Sequence, residues 1–153
     1  MTTFAEAETT SSAAPSAFFA RWADMATWPE WNADTEWVRL DGPFATGSTG
    51  VLKPRGGPKT KFVIAKVSEE EFTDVSHLLG ARLTFRHVVT VVQEGTRVQV
   101  AVSLTGPLTF LWNAILGKGI KESLQRDLEA LAVAALANPV GEAVRASDAV
   151  AGA

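Results

Sequence analysis

A long apolar-striped helix, predicted over residues 106–137, constrains this chain most, because almost everything before it reads as β-strand. A helix of that length in a protein of 153 residues needs a large apolar surface to lie on. The strands can supply it by forming one strongly curved antiparallel sheet. A curved sheet wrapped round a single helix leaves a hollow, and a hollow lined by apolar side chains takes apolar molecules. Leu108, Leu111 and Ile115 lie on one stripe, continued by Leu124, Leu128, Leu131 and Ala135. Gly117 and Gly119 interrupt it, at about 1 kcal/mol each relative to alanine. The helix therefore either bends there or begins near Ile120. The competing start is near Pro107, a residue suited to the first helical position. Asn138-Pro139 ends the helix. Residues 138–153 are small and polar and are expected to form a disordered tail, which leaves one domain over 1–137.

Upstream, residues 4–10 alternate as a first strand. A short helix over 16–24 puts Phe18, Phe19 and Trp22 on one face, and a second short turn of helix surrounds Pro29. Strands are expected over 35–40, 48–53, 61–67, 72–76, 82–92 and 96–104. Gly42-Pro43, Leu79-Gly80 and Glu94-Gly95 are turn signals between them. Glu69-Glu70-Glu71 reads as a solvated turn. The strand over 82–92 is the clearest, with Leu83, Phe85, His87 and Val89 on its buried side and Arg82 and Arg86 opposite. The order is strand, two short helices, six strands, long helix. That is an α+β domain with a meander of antiparallel strands.

Composition removes several classes of function. Lys and Arg form no run and the net charge is −3, so neither nucleic acid nor an anionic membrane surface is an expected partner. No stretch has the ~20 apolar residues of a membrane span, and the N-terminus lacks a secretory pattern, so a cytoplasmic location is expected. Cysteine is absent, which excludes disulfides, thiolate metal sites and a thiol nucleophile. Tyrosine is absent too, so no phenol can serve as acid or base. Two distant histidines offer no metal-ligand spacing, and neither Gly47-Ser48-Thr49-Gly50 nor Arg55-Gly56-Gly57 is a phosphate loop. No cofactor is expected.

Several segments carry a resemblance. They are Trp22-Ala23-Asp24 through Trp28-Pro29-Glu30-Trp31-Asn32, and Leu40-Asp41-Gly42-Pro43-Phe44 leading into Gly47-Ser48-Thr49-Gly50. Phe85-Arg86-His87, Glu94-Gly95-Thr96-Arg97 and Thr105-Gly106-Pro107-Leu108 add to it. In order and spacing over residues 4–137 the chain resembles the START-like, Bet v 1-like helix-grip superfamily, and within it the polyketide cyclase/dehydrase and lipid-transport group. The resemblance implies a seven-stranded sheet gripping the last helix, with two short helices after the first strand and an internal cavity for a hydrophobic ligand. It leaves activity open, since fold does not fix function.

His87, inward on its strand, is the candidate acid or base, or else a buried histidine bonded to a neighbour. Arg82 is a catalytic candidate only if a bulge near Gly80 turns it inward to polarise a carbonyl. Trp28, Trp31, Phe62, Phe72 and Phe85 are candidate lining residues, with plain core packing as the alternative for each. Trp112 and Asn113 are candidates from the start of the last helix. Three functions fit these residues. The first is binding of a small hydrophobic or amphipathic molecule, such as a lipid, by a monomer or homodimer. The second is a cyclase or dehydratase that folds a polyketide-like substrate in the same cavity. The third is a protein-interaction module of the chaperone-cofactor kind.

Overall fold

Period-two alternation becomes one seven-stranded antiparallel sheet in the computed structural model of the chain, which describes residues 2–137. The elements are β1 (Thr2–Ser11), α1 (Pro15–Ala23), a 3₁₀ turn (Met25–Glu30), β2 (Thr35–Asp41), β3 (Thr49–Pro54), β4 (Thr60–Val67), β5 (Glu71–Leu78), β6 (Ala81–Val92), β7 (Gly95–Thr105) and α2 (Thr109–Ala137). The disordered tail expected over 138–153 lies outside the described residues. Strand order is β1-β7-β6-β5-β4-β3-β2. From β2 to β7 each strand pairs with its successor in sequence. The first strand then pairs with the last, so α1 and the 3₁₀ turn carry the chain from one sheet edge to the other.

Register shifts at Thr3/Ala5, Thr35/Trp37 and Ile64/Lys66 break the ladders of β1, β2 and β4. Such bulges bend a strand and increase its twist, which is how this sheet curves. The inner face carries Val98, Val100, Val102 and Leu104 of β7, all buried, as the alternation predicts. Gly95 marks the β6–β7 hairpin. It stands at φ +134°, and a Cβ there would lie 2.3 Å from the Ser11 carbonyl oxygen. Glycine is thus what lets this hairpin sit against the end of β1.

α2 runs unbroken through both glycines, so it begins near Pro107 rather than Ile120. Its buried row differs from the expected one. Leu111 and Ile115 are 41% and 59% exposed, while Trp112, Leu116, Ile120 and Leu124 turn inward ahead of Leu128, Leu131 and Ala135. A row spaced by four residues is inclined to the helix axis, and it keeps facing a sheet whose strands twist beneath it. α2 packs mainly along β1, with light contact to β6 and β7. Gln125 fixes this placement: its Nε2 donates to the Glu8 carbonyl at 2.9 Å and its Oε1 accepts from the Glu8 N–H at 3.3 Å. In the last turn of α2, the buried Arg21 of α1 donates to the Ala134 carbonyl at 2.9 Å. No described helix is long and apolar enough to cross a membrane.

Two further expectations change. Glu71 is no solvated turn residue: it begins β5 and is 9% exposed. It accepts hydrogen bonds from the Thr73 hydroxyl of its own strand at 2.6 Å and from Arg86 of neighbouring β6 at 3.1 Å, and these partners permit its burial. β5 also extends beyond residue 76 to Leu78, which makes His77 an exposed strand residue.

Candidate functional site

Phe72, fully buried on β5, anchors the aromatic interior. Around it stand Phe44 at 5.1 Å, Trp22 at 5.6 Å and Trp28 at 6.2 Å between ring centroids. The amphipathic α1 delivers Trp22, and the 3₁₀ turn delivers Trp28, whose indole N–H donates to the Trp22 carbonyl at 3.1 Å. Trp31 packs on Trp28 at 5.6 Å, and its own indole N–H is buried with no partner among the described residues. The same holds for the indole N–H of Trp22.

His87 lies opposite Phe72 in the β5–β6 register, on the inward face that alternation gave it. The two rings stack at 5.0 Å, and Trp22 stands 5.0 Å away on another side. His87 Nδ1 is 2.9 Å from the Phe72 carbonyl oxygen. A carbonyl only accepts, so Nδ1 carries the proton and Nε2 is left as an acceptor. Burial pushes the imidazole from its usual 6.5 down to about 4, against the opposing pull of the Phe72 carbonyl. At neutral pH this ring is uncharged.

Asp74 was not foreseen. It sits two residues along β5 from Phe72, on the same face, opposite Phe85 of β6 and Ile64 of β4. It is 8% exposed, and no hydrogen bond or ion pair reaches it among the described residues. Burial alone lifts its carboxyl from 3.8 to about 7. Alternation starting from an inward Phe72 was the signal available for it. The sequence reading therefore lacked the acid that stands diagonally from His87 on one face.

The other candidates separate into two groups. Phe72, Trp28, Trp31 and Phe62 are buried, whereas Phe85, His87 and Trp112 keep part of their surface accessible while packed on the interior. The Phe62 ring lies across Gly50 of β3, where a Cβ would come within 2.5 Å of it. Trp112 donates its indole N–H to the Leu79 carbonyl at 2.8 Å, tying α2 to the β5–β6 turn. Asn113 is exposed, because the continuous helix rotates it off the Trp112–Leu116–Ile120 row. Arg82 is exposed as well. β6 holds unbroken register with β5 and β7, so no bulge turns Arg82 inward.

α2 packs along the β1 side of the concave face, the 3₁₀ turn packs on β2, and α1 reaches β6, with Trp22 and Trp28 meeting Phe72 of β5. Leu40 and Leu52 share the inner face with the buried Val38, yet both keep accessible surface, as Phe85 and His87 do. These four side chains pack on the core and still reach solvent on the inner face.

No protein-family model and no curated protein matches the sequence. Solved structures do match. A Thermus thermophilus protein, TTHA0849, is 17% identical, with 87% of this chain and 97% of that one covered at a TM-score of 0.68. Ara h 8.0201 is 16% identical, with 90% and 99% covered and a TM-score of 0.66. The di-domain ARO/CYC StfQ from the steffimycin biosynthetic pathway is 14% identical, with 85% of this chain and 49% of that one covered, at a TM-score of 0.66. This chain has the START-like, Bet v 1-like helix-grip fold. The sheet of a helix-grip protein has two faces, and the outer one here carries a trough of about 530 Å³ between Glu6, Glu8, Arg86, Gln99 and Gln125. Those five side chains are solvent-exposed, in contrast to the aromatic interior of the grip.

Proposed function

We propose that this helix-grip protein binds a small hydrophobic or amphipathic molecule in a cavity between the inner face of its sheet and its helices. The observation that carries the reading is the partial accessibility of Leu40, Leu52, Phe85 and His87 on a face otherwise lined by buried aromatic rings. A ligand that covers them gains about 2.5 kcal/mol per 100 Å² of apolar area removed from water, before the costs of association. No reactive group is needed for that.

A cyclase reading draws on the likeness to StfQ and on His87. It is the weaker of the two here. Arg82, the candidate for polarising a carbonyl, and the candidate Asn113 both face solvent, and an imidazole held down at about 4 is a weak base at neutral pH. For the chaperone-cofactor reading, no described feature supplies specific support.

Native mass spectrometry of the purified protein, with a hydrophobic dye titration of the delipidated protein, tests the proposal. A stoichiometric adduct, or saturable dye fluorescence displaced by a long-chain alcohol, is expected. Absence of both would overturn it. Turnover of a poly-β-keto thioester mimic that disappears in a folded His87→Ala variant would favour catalysis instead.

A further inference from the structure

We propose that the end of the molecule formed by the β5–β6 turn and the first two turns of α2 docks on an anionic lipid bilayer. This surface lies outside the inner face of the grip, whatever that face binds. Four large apolar side chains are exposed there: Leu79 at the turn tip by 81%, Phe110 by 74%, Ile115 by 59% and Leu111 by 41%. The last three share one side of α2. Leu79 is held beside them by the fold itself. The Leu108 N–H donates to the Gly80 carbonyl at 2.9 Å, and the Trp112 indole N–H donates to the Leu79 carbonyl at 2.8 Å. The Leu108 side chain lies so close to Gly80 that a Cβ there would come within 2.6 Å of it. A contiguous apolar patch fixed in this way and rimmed by polar groups marks an interaction surface.

The rim decides the partner. Because the chain has no basic run, an anionic membrane is not an expected partner from the sequence. Antiparallel pairing changes this, since it makes neighbours of cations that are far apart in the chain. Arg82 of β6 pairs with His77 of β5, and Phe62 of β4 pairs with Ser76, so Lys61 follows on the outer side next to His77. The β3–β4 loop, at the same end of the sheet, adds Arg55 and Lys59. None of these four cations has a carboxylate partner among the described residues. The acids at this end are already matched: Asp34 by Arg126 at 3.4 Å, Glu36 by Lys53 at 3.1 Å and Glu122 by Lys118 at 4.0 Å. Glu69, Glu70 and Glu94 sit in the β4–β5 and β6–β7 turns at the opposite end. A chain of net charge −3 thus presents its spare positive charge and its exposed apolar side chains together.

A second copy would meet this surface with the same cations, because a two-fold contact sets like against like. An acidic protein would answer the charges, but side chains that protrude from a turn and a helix need a medium that closes round them. An anionic bilayer does both: its headgroups face the cations while Leu79 and Phe110 enter the interfacial layer.

Vesicle co-sedimentation tests this, with phosphatidylcholine vesicles and with vesicles in which about a third of the lipid is phosphatidylglycerol, at low salt and at about 0.5 M sodium chloride. Wild type is expected to bind the anionic vesicles about tenfold more tightly than the neutral ones, and high salt should weaken that binding. Phe110→Ser and Leu79→Ser should each lower it severalfold, and joint Lys61→Gln and Arg82→Gln should remove the preference for anionic lipid. Val133→Ser, at a side chain 64% exposed near the far end of α2, should bind as wild type does. The wild-type comparison decides even where a variant fails to fold. Equal binding to both vesicles, or binding to neither, overturns the proposal. So does vesicle binding that folded Phe110→Ser retains in full. A concentration-dependent dimer on gel filtration that Phe110→Ser dissolves, without vesicle binding, overturns it in favour of a contact between copies.

Discussion

An imidazole stacked on one phenyl ring and hemmed by an indole has little water with which to stabilise a charge. His87 is in that position between Phe72 and Trp22. Its ring resonances should therefore stay flat from pH 8 to pH 5 in an NMR titration and shift only near pH 4, the value to which burial pushes it. A midpoint near 6.5 would mean that the ring is solvated. The neighbouring phenyl groups should differ in their importance to the fold. Phe72→Ala removes a fully buried hub and should cost about 3–5 kcal/mol in urea unfolding. Phe85→Ala removes a side chain that is only partly buried, and it should cost clearly less. At this scale the sequence was half legible. Alternation put His87 and Phe85 inward, as they are. It missed Asp74, because a lone aspartate in a short strand ordinarily faces water, although alternation from Phe72 puts it inward and its paired partners Phe85 and Ile64 agree.

The elements were legible wherever pattern and turn chemistry agreed, and every expected strand is present within a few residues of its predicted ends. The long helix was harder. Its glycines are consistent with a bend, a later start or a straight rod, and propensity alone does not choose among them. Packing chooses: Gly117 is buried, and α2 is anchored to β1 by Gln125 and to α1 by Arg21. The two glycines should then respond differently to substitution. Nothing lies within 4 Å of a Cβ built at Gly119, so Gly119→Ala should gain about 0.5–1 kcal/mol from helix propensity. A Cβ at Gly117 meets the Asn113 side-chain oxygen at 2.6 Å, and the gain from Gly117→Ala should shrink or reverse. Urea denaturation of the two variants measures this. A destabilised Gly119→Ala would mean that the helix needs its flexibility there.

For the molecule as a whole, topology followed from the meander and hidden electrostatics did not. Consecutive strands pair with their neighbours, so the strand order needed only the closing β1–β7 pair. Which half of the concave face α2 covers depends on side-chain contacts such as Gln125 with Glu8, which no periodicity encodes. Buried Asp74 and partly buried His87 on that face should make global stability pH-dependent in opposite senses. Asp74 has its folded value raised from 3.8 to about 7, so the native state holds a proton that the unfolded chain has released. Its contribution is harmless below pH 4 and is lost as pH rises to 7. His87 has its folded value lowered from 6.5 to about 4, so the unfolded chain takes up a proton first, and its contribution is lost as pH falls through that window. At about 1.4 kcal/mol per unit, these are upper bounds of about 4 and about 3 kcal/mol. Between pH 4 and 6.5 they offset one another in the intact protein. Substitution should separate them. Relative to wild type, Asp74→Asn should become steadily more stable as pH is raised from 4 to 7, and His87→Phe steadily more stable as pH is lowered from 6.5 to 4. Unfolding free energies at half-unit pH intervals would read both slopes, and slopes of the same sign would show that these two groups are not jointly buried on the inner face.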